Sequence, residues 1–161
     1  MPLIIKNAEV VDDHWQLLDE DAEALPQGQV LAPLVFWNEH QQDVAERPDD
    51  IGVWLASNEL PEDIANLDSV PVVAVRFDNF MDGRGFSIAR LLRERFGYQG
   101  EIRAIGNPIR DQLTYMARCG FNAFDLAEHY DAAEALESLK DFSENYQISV
   151  EQKTPLFRRR A

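Results

Sequence analysis

The stretch Val72-Val73-Ala74-Val75-Arg76-Phe77-Asp78, continued by Asn79-Phe80-Met81-Asp82-Gly83-Arg84-Gly85, sets the reading of the whole chain. Its first four residues are apolar and mostly β-branched, the composition of a strand buried on both faces of a parallel sheet. Arg76 and Asp78 then fall two residues apart, on one face of the strand at its carboxyl end. Two glycines flank Arg84, and the helical stripe Ile88, Leu92, Phe96 begins directly afterwards. Strand, glycine turn and helix together make one βα unit.

The same alternation recurs on either side of that unit. Strands are expected at 30–37, 51–56, 70–78, 101–106 and 123–127, with helices at 38–46, 61–67, 86–96 and 131–146 between and after them. A further helix should open at Asn107. That residue is a good N-cap, Pro108 suits the first helical position, Ile109, Leu113 and Met116 form a stripe, and Gly120 can close the end. The fold class is therefore α/β: a mainly parallel sheet of about five βα units, arranged as an incomplete (β/α) barrel or an open doubly wound sheet. Local pattern does not separate the two, but both place ligands at the carboxyl ends of the strands. Residues 3–18 alternate apolar and polar around Asp12-Asp13 and read as a β-hairpin at the sheet edge, followed by acidic residues to Glu23. Residues 1–24 are then an N-terminal hairpin and acidic segment, and 151–161, with Arg158-Arg159-Arg160, a mobile tail.

The 161 residues match one domain, with 45% hydrophobic and 27% charged side chains. The absence of a long apolar run or a basic leader points to a cytoplasmic protein, with no membrane partner. One cysteine, Cys119, forbids an intrachain disulfide, and with three scattered histidines it cannot build a familiar zinc or iron–sulfur site, so no metal is expected. A net charge of −14 argues against nucleic acid as a partner. From Arg76 to Arg118, however, eight arginines face five acids, a local charge of +3 within that acidic body. This is either a solvated face of mixed charge or a positive pocket.

The candidate pocket draws on two loops. Arg76 and Asp78 close the central strand, and either pair structurally with Arg103, Glu101 or Asp125 or bind a ligand. Asp82, Gly83, Arg84 and Gly85 could cradle an anion on backbone amides at a helix start, or simply make a tight turn. They fit neither the dinucleotide glycine pattern nor a Walker loop. Asn107, Arg110 and Asp111 open the next helix at the same end of the sheet, where Arg110 could grip an anion bidentately and Asp111 more blandly favours the helix dipole. Cys119, at the far end of that helix, reads as a buried, inert thiol, and Trp15, Trp37 and Trp54 as packing residues.

The string Asp82-Gly83-Arg84-Gly85-Phe86-Ser87, with Ala89-Arg90-Leu91-Leu92-Arg93, Gly97-Tyr98-Gln99-Gly100-Glu101, Arg103-Ala104, Arg110-Asp111-Gln112-Leu113 and Arg118-Cys119-Gly120-Phe121, resembles the bacterial domain-of-unknown-function family numbered 934. The resembling block runs from 77 to about 124. Its members tend to be encoded beside assimilatory sulfite reductase and are described as oxidoreductases of sulfite reduction. The resemblance thus implies a role in sulfur assimilation, with sulfite reductase or its electron donor as partner. The residues show no flavin or nicotinamide fingerprint and leave the cofactor unknown and catalysis undecided. Two functions are expected: an accessory protein that docks on sulfite reductase or its electron donor, or an enzyme binding a small sulfur oxyanion, with Asp78 or Asp82 as acid or base.

Overall fold

The computed structural model describes residues 3–7, 9–77, 84–106 and 113–125. Eight strands form one sheet: β1 (Leu3–Lys6), β2 (Glu9–Asp12), β3 (Trp15–Leu17), β4 (Gln29–Pro33), β5 (Ile51–Ala56), β6 (Val72–Phe77), β7 (Glu101–Gly106) and β8 (Ala123–Phe124). Their spatial order is β2-β1-β8-β7-β6-β5-β4-β3. From β3 to β8 every neighbouring pair is parallel, whereas β1 runs antiparallel to both β2 and β8.

This order separates the two expected architectures. A doubly wound sheet reverses its strand order at a switch point. Here β3 to β8 lie side by side in chain order, the winding of a (β/α) barrel. The two edge strands, β2 and β3, are separated only by Asp13 and His14. Their facing ends are thus within about 11 Å of each other along the chain. A flat sheet of eight strands would hold its edges about 34 Å apart. The sheet must therefore curl, with one face turned inward and the other outward.

The outward face carries the helices: α1 (Leu34–Glu39), α2 (Gln41–Glu46), α3 (Arg84–Arg90) and α4 (Leu113–Cys119). Alternate strand residues Val30, Ala32, Val53, Leu55, Val73, Val75, Ile102 and Ala104 pack there with Trp37, Ile88, Leu92 and Met116 in one apolar cluster. A smaller cluster of Leu31, Trp54, Val72, Ala74 and Ile105 occupies the inward face.

Several boundaries differ from expectation, each for a local reason. The strand expected at 30–37 stops at Pro33, which lacks an N–H for the sheet, and Leu34 begins α1. The helix expected over 38–46 is broken at His40, whose φ of −118° and ψ of 40° separate α1 from α2. In place of the helix expected over 61–67 there are two 3-10 turns, Pro61–Asp63 and Leu67–Ser69, with Asn66 between them in left-handed geometry. The 86–96 helix starts at Arg84 and ends in a π-helical turn, Leu91–Arg95. There the Arg93 guanidinium donates to the carbonyls of Tyr98, Gly100 and Gly120, fastening the helix end to the approaches of β7 and β8. The N-terminal hairpin turns at Asn7, with φ of 52°, and not around Asp12-Asp13. Only β2 lies at that edge, since β1 is inside the sheet and β3 belongs to the opposite edge. Strands β5 and β7 match the expected 51–56 and 101–106. The helix at 131–146 and the tail at 151–161 lie outside the described residues, as do residues 126 and 127 of the expected last strand, whose described part ends at Phe124.

Candidate functional site

The inward face holds a cluster of buried charges. Arg103, on β7, is 2% exposed; its Nε donates to Glu101 Oε2 at 2.8 Å and its Nη1 to Asp13 Oδ1 at 2.8 Å. Burial works against the guanidinium's charge, but Glu101 and Asp13 outweigh it and hold its pKa above the ordinary value. Lys6 completes the group, 3.1 Å from Glu101 Oε1. Asp13 also accepts the N–H of Trp15, so the residue joining the two sheet edges is tied to the centre of the sheet. Asp125, just beyond β8, is half-buried nearby. Burial pushes its carboxyl pKa up, the Asp13 charge adds to this and Arg103 opposes it. Three charges this deep are retained because each has a partner of opposite sign; removing the arginine would leave both carboxylates without it. Arg103 and Glu101 were expected as partners of Arg76 and Asp78; in the structure Arg103 pairs with Glu101, two residues away, and with Asp13, 90 residues away in sequence.

Arg76 lies on β6, toward the end of its strand. Its guanidinium lies over the Trp54 ring at 4.6 Å, with Nη2 3.8 Å from Glu20 Oε1. Trp54 is fixed in turn, donating its indole N–H to the Leu18 carbonyl at 2.9 Å. Because β5 and β6 are parallel and Ala56 is paired with Arg76, this arrangement sits near the carboxyl ends of the strands. A cleft of about 600 Å³ opens beside it, walled by residues 17–22. In barrel-like folds that end is where ligands and catalytic groups collect. The acidic stretch expected to be an edge feature thus folds over the mouth of the curled sheet.

Arg84 reaches the same end from the first turn of α3. Its Nη2 is 3.4 Å from the hydroxyl of Ser57, the residue that follows β5. Gly85 has a packing reason to lack a side chain: a Cβ there would fall 2.5 Å from the Phe77 ring. Gly106 closes in on Phe77 from the other side, with φ of 85° and a Cβ position 2.6 Å from its carbonyl oxygen. Phe77 is therefore the pivot between β6, α3 and the end of β7, and its ring also meets Phe86 and Phe121. Asp78, Asp82, Gly83, Asn107, Arg110 and Asp111 lie outside the described residues.

The positive stretch from Arg76 to Arg118 is dispersed among separate tasks. Arg93 binds carbonyls, Arg103 is buried in its ion cluster, Arg90 pairs with Glu94 at 3.7 Å, and Arg76 and Arg84 stand at the strand ends. Cys119 is fully buried in α4, as expected, and burial pushes its thiol pKa up. Among the described residues, no group of three or more His, Cys, Asp or Glu side chains is placed to hold a metal ion, and no helix is long and apolar enough to cross a membrane.

The sequence matches the model of a family described as "Bacterial protein of unknown function (DUF934)" over residues 52–157, more than half of the chain and well beyond the 77–124 block. No curated protein and no solved structure matches the chain.

Proposed function

Because the chain belongs to this bacterial family of unknown function, we propose that it is an accessory protein of assimilatory sulfite reduction, docking on sulfite reductase or its electron donor through the acidic layer of residues 34–69. The observation that carries this reading is the charge of that layer. Glu39, Asp43, Glu46, Asp49, Glu62, Asp63 and Asp68 are all exposed. The one basic residue among them, Arg47, donates to the carbonyls of Pro26 and Gly28. Val35 and Leu60 are exposed in the same layer, apolar points within the acidic rim.

The layer is held rigidly enough to act as one surface. Trp37 donates to the Ala65 carbonyl at 2.8 Å, Asn38 exchanges hydrogen bonds with Asp63 and Ala65, and Asn66 donates to Gln41 at 2.7 Å. Such a field speeds encounter with a basic partner and sets its orientation. A pull-down with purified sulfite reductase, and separately with its electron donor, tests the reading. A complex should form at about 0.05 M salt and weaken by 0.5 M, as expected when surface charges are screened. Asp43→Asn, Glu46→Gln, Glu62→Gln and Asp63→Asn together should weaken it at low salt. Failure to bind either protein, combined with turnover of a small substrate by this protein alone, would defeat the docking reading.

The proximity of Arg84 to Ser57 at the strand ends favours a second reading, an enzyme that binds a small sulfur oxyanion there. Calorimetric titration with sulfite, sulfate and phosphate tests it. Binding should be lost in the Arg84→Ala, Arg110→Ala double variant, and binding that persists unchanged removes these residues from the site.

A further inference from the structure

We propose that the cleft at the mouth of the curled sheet binds a small organic zwitterion, such as a free amino acid, with its carboxylate on Arg76 and its ammonium against the Asp19–Asp21 wall. This inference stands apart from both functions above. The first argument is charge. Among the described residues that line the cleft, Asp19, Glu20 and Asp21 are three carboxylates and Arg76 is the one guanidinium. A simple dianion would meet net repulsion there, whereas a molecule carrying both signs can satisfy both walls.

The second argument is shape and fixation. The cleft has a volume of about 600 Å³, within the range that takes small-molecule ligands. Its floor is the Arg76–Trp54 stack, a preset guanidinium plane. Its wall is anchored at both ends. The Leu18 carbonyl accepts from Trp54, the Leu18 N–H donates to Leu31, and Ala22 packs against the main apolar cluster. Leu17, 51% exposed, lends apolar surface at the lip.

The third argument is the contact between Arg76 and Glu20. At 3.8 Å the two are an ion pair beyond hydrogen-bonding distance, and the Glu20 side chain is 65% exposed. A chain carboxylate thus stands beside the guanidinium where a ligand carboxylate would seat. On binding, Glu20 can turn from Arg76 to the incoming ammonium, exchanging a long ion pair for two shorter, charge-assisted contacts.

The indole N–H of Trp54 is the natural reporter, and ¹⁵N-resolved NMR titration of the full chain is the experiment. L-lysine is the probe, because its net positive charge complements the cleft; acetate, butylammonium and sulfate are the comparisons. L-lysine should move the Trp54 indole signal saturably, and each comparison ion should bind at least about tenfold more weakly, the worth of one charge-assisted contact. The Glu20→Gln, Asp21→Asn variant, altered only at exposed positions, should keep the wild-type spectrum and lose about tenfold in L-lysine affinity. Arg76→Lys should weaken binding while keeping the positive charge. The proposal is overturned if no probe gives a saturable shift, if sulfate binds as tightly as L-lysine, or if the double variant binds L-lysine as well as the wild type. Since no partner protein is present, these outcomes are independent of docking.

Discussion

On the outward face of the sheet, Val53, Val73, Val75, Ile102 and Ala104 meet the helices with apolar side chains alone. On the inward face, at the alternate positions of the same strands, Trp54, Ala74, Arg76, Glu101 and Arg103 mix a small apolar cluster with stacked and paired charges. The outward residues act through area and volume, so one aliphatic side chain can stand in for another at modest cost. The inward charges act through individual partners, and their loss should be felt singly. The difference teaches where to look for specificity: within the curl and at its mouth, while the acidic residues of 34–69 lie exposed on the solvent side.

The largest expected effect comes from breaking the inward face at its centre. Arg103→Met should cost about 3–5 kcal/mol, because Asp13 and Glu101 keep their buried carboxylates and lose the guanidinium between them. Adding Asp13→Asn should recover part of that loss, measurable as the urea midpoint of the double against the single variant. A loss no greater than an aliphatic truncation on the outward face would erase the distinction between the faces.

Next comes a packing change on the outward side. Gly85→Ala places a methyl group against the Phe77 ring and should cost about 1–3 kcal/mol by overpacking. Phe77→Leu in the same background should relieve it, since the conflict is with the ring. An unchanged melting temperature for Gly85→Ala would show that α3 shifts freely on the sheet.

The smallest effect is a matter of sign. Asp125 has a folded pKa raised above its ordinary 3.8, so its proton is held more tightly in the native state. Its contribution to stability is therefore present below the ordinary value and is lost as pH rises through the folded value. Asp125→Asn, which stays neutral, should be the more stable protein at pH 7, and its advantage should shrink on acidification toward about pH 4. Urea unfolding at the two pH values checks this, and a variant less stable than wild type at pH 7 would mean that the carboxylate form is the one the site favours.

Much of this architecture was legible locally. The apolar runs that became β5, β6 and β7 read as buried strands, and the stripe of Ile88 and Leu92 read as a helix face. Pro33 was the missed signal that ends β4, the left-handed Asn7 moved the hairpin turn away from Asp12-Asp13, and the left-handed Asn66 interrupts the helix expected over 61–67. Long-range facts were not legible. Nothing in 15–17 tells that it pairs with β4 across the curl, and nothing near Arg103 names Asp13 as its partner. A buried arginine requires a counter-charge, but sequence does not say which acid supplies it. The site was read by position more than by membership: Arg76 and Arg84 do stand at the strand ends, whereas the Trp54 floor and the acidic wall at 19–21 come from segments that seemed to be packing and edge.

Hydrogen exchange of this protein, alone and with purified sulfite reductase or its electron donor, tests the docking claim most directly. The account predicts slowed exchange across residues 34–69, relieved by salt, with the mouth segment at 17–22 unchanged. Protection at 17–22 with none over 34–69, or no change with either partner, would contradict it.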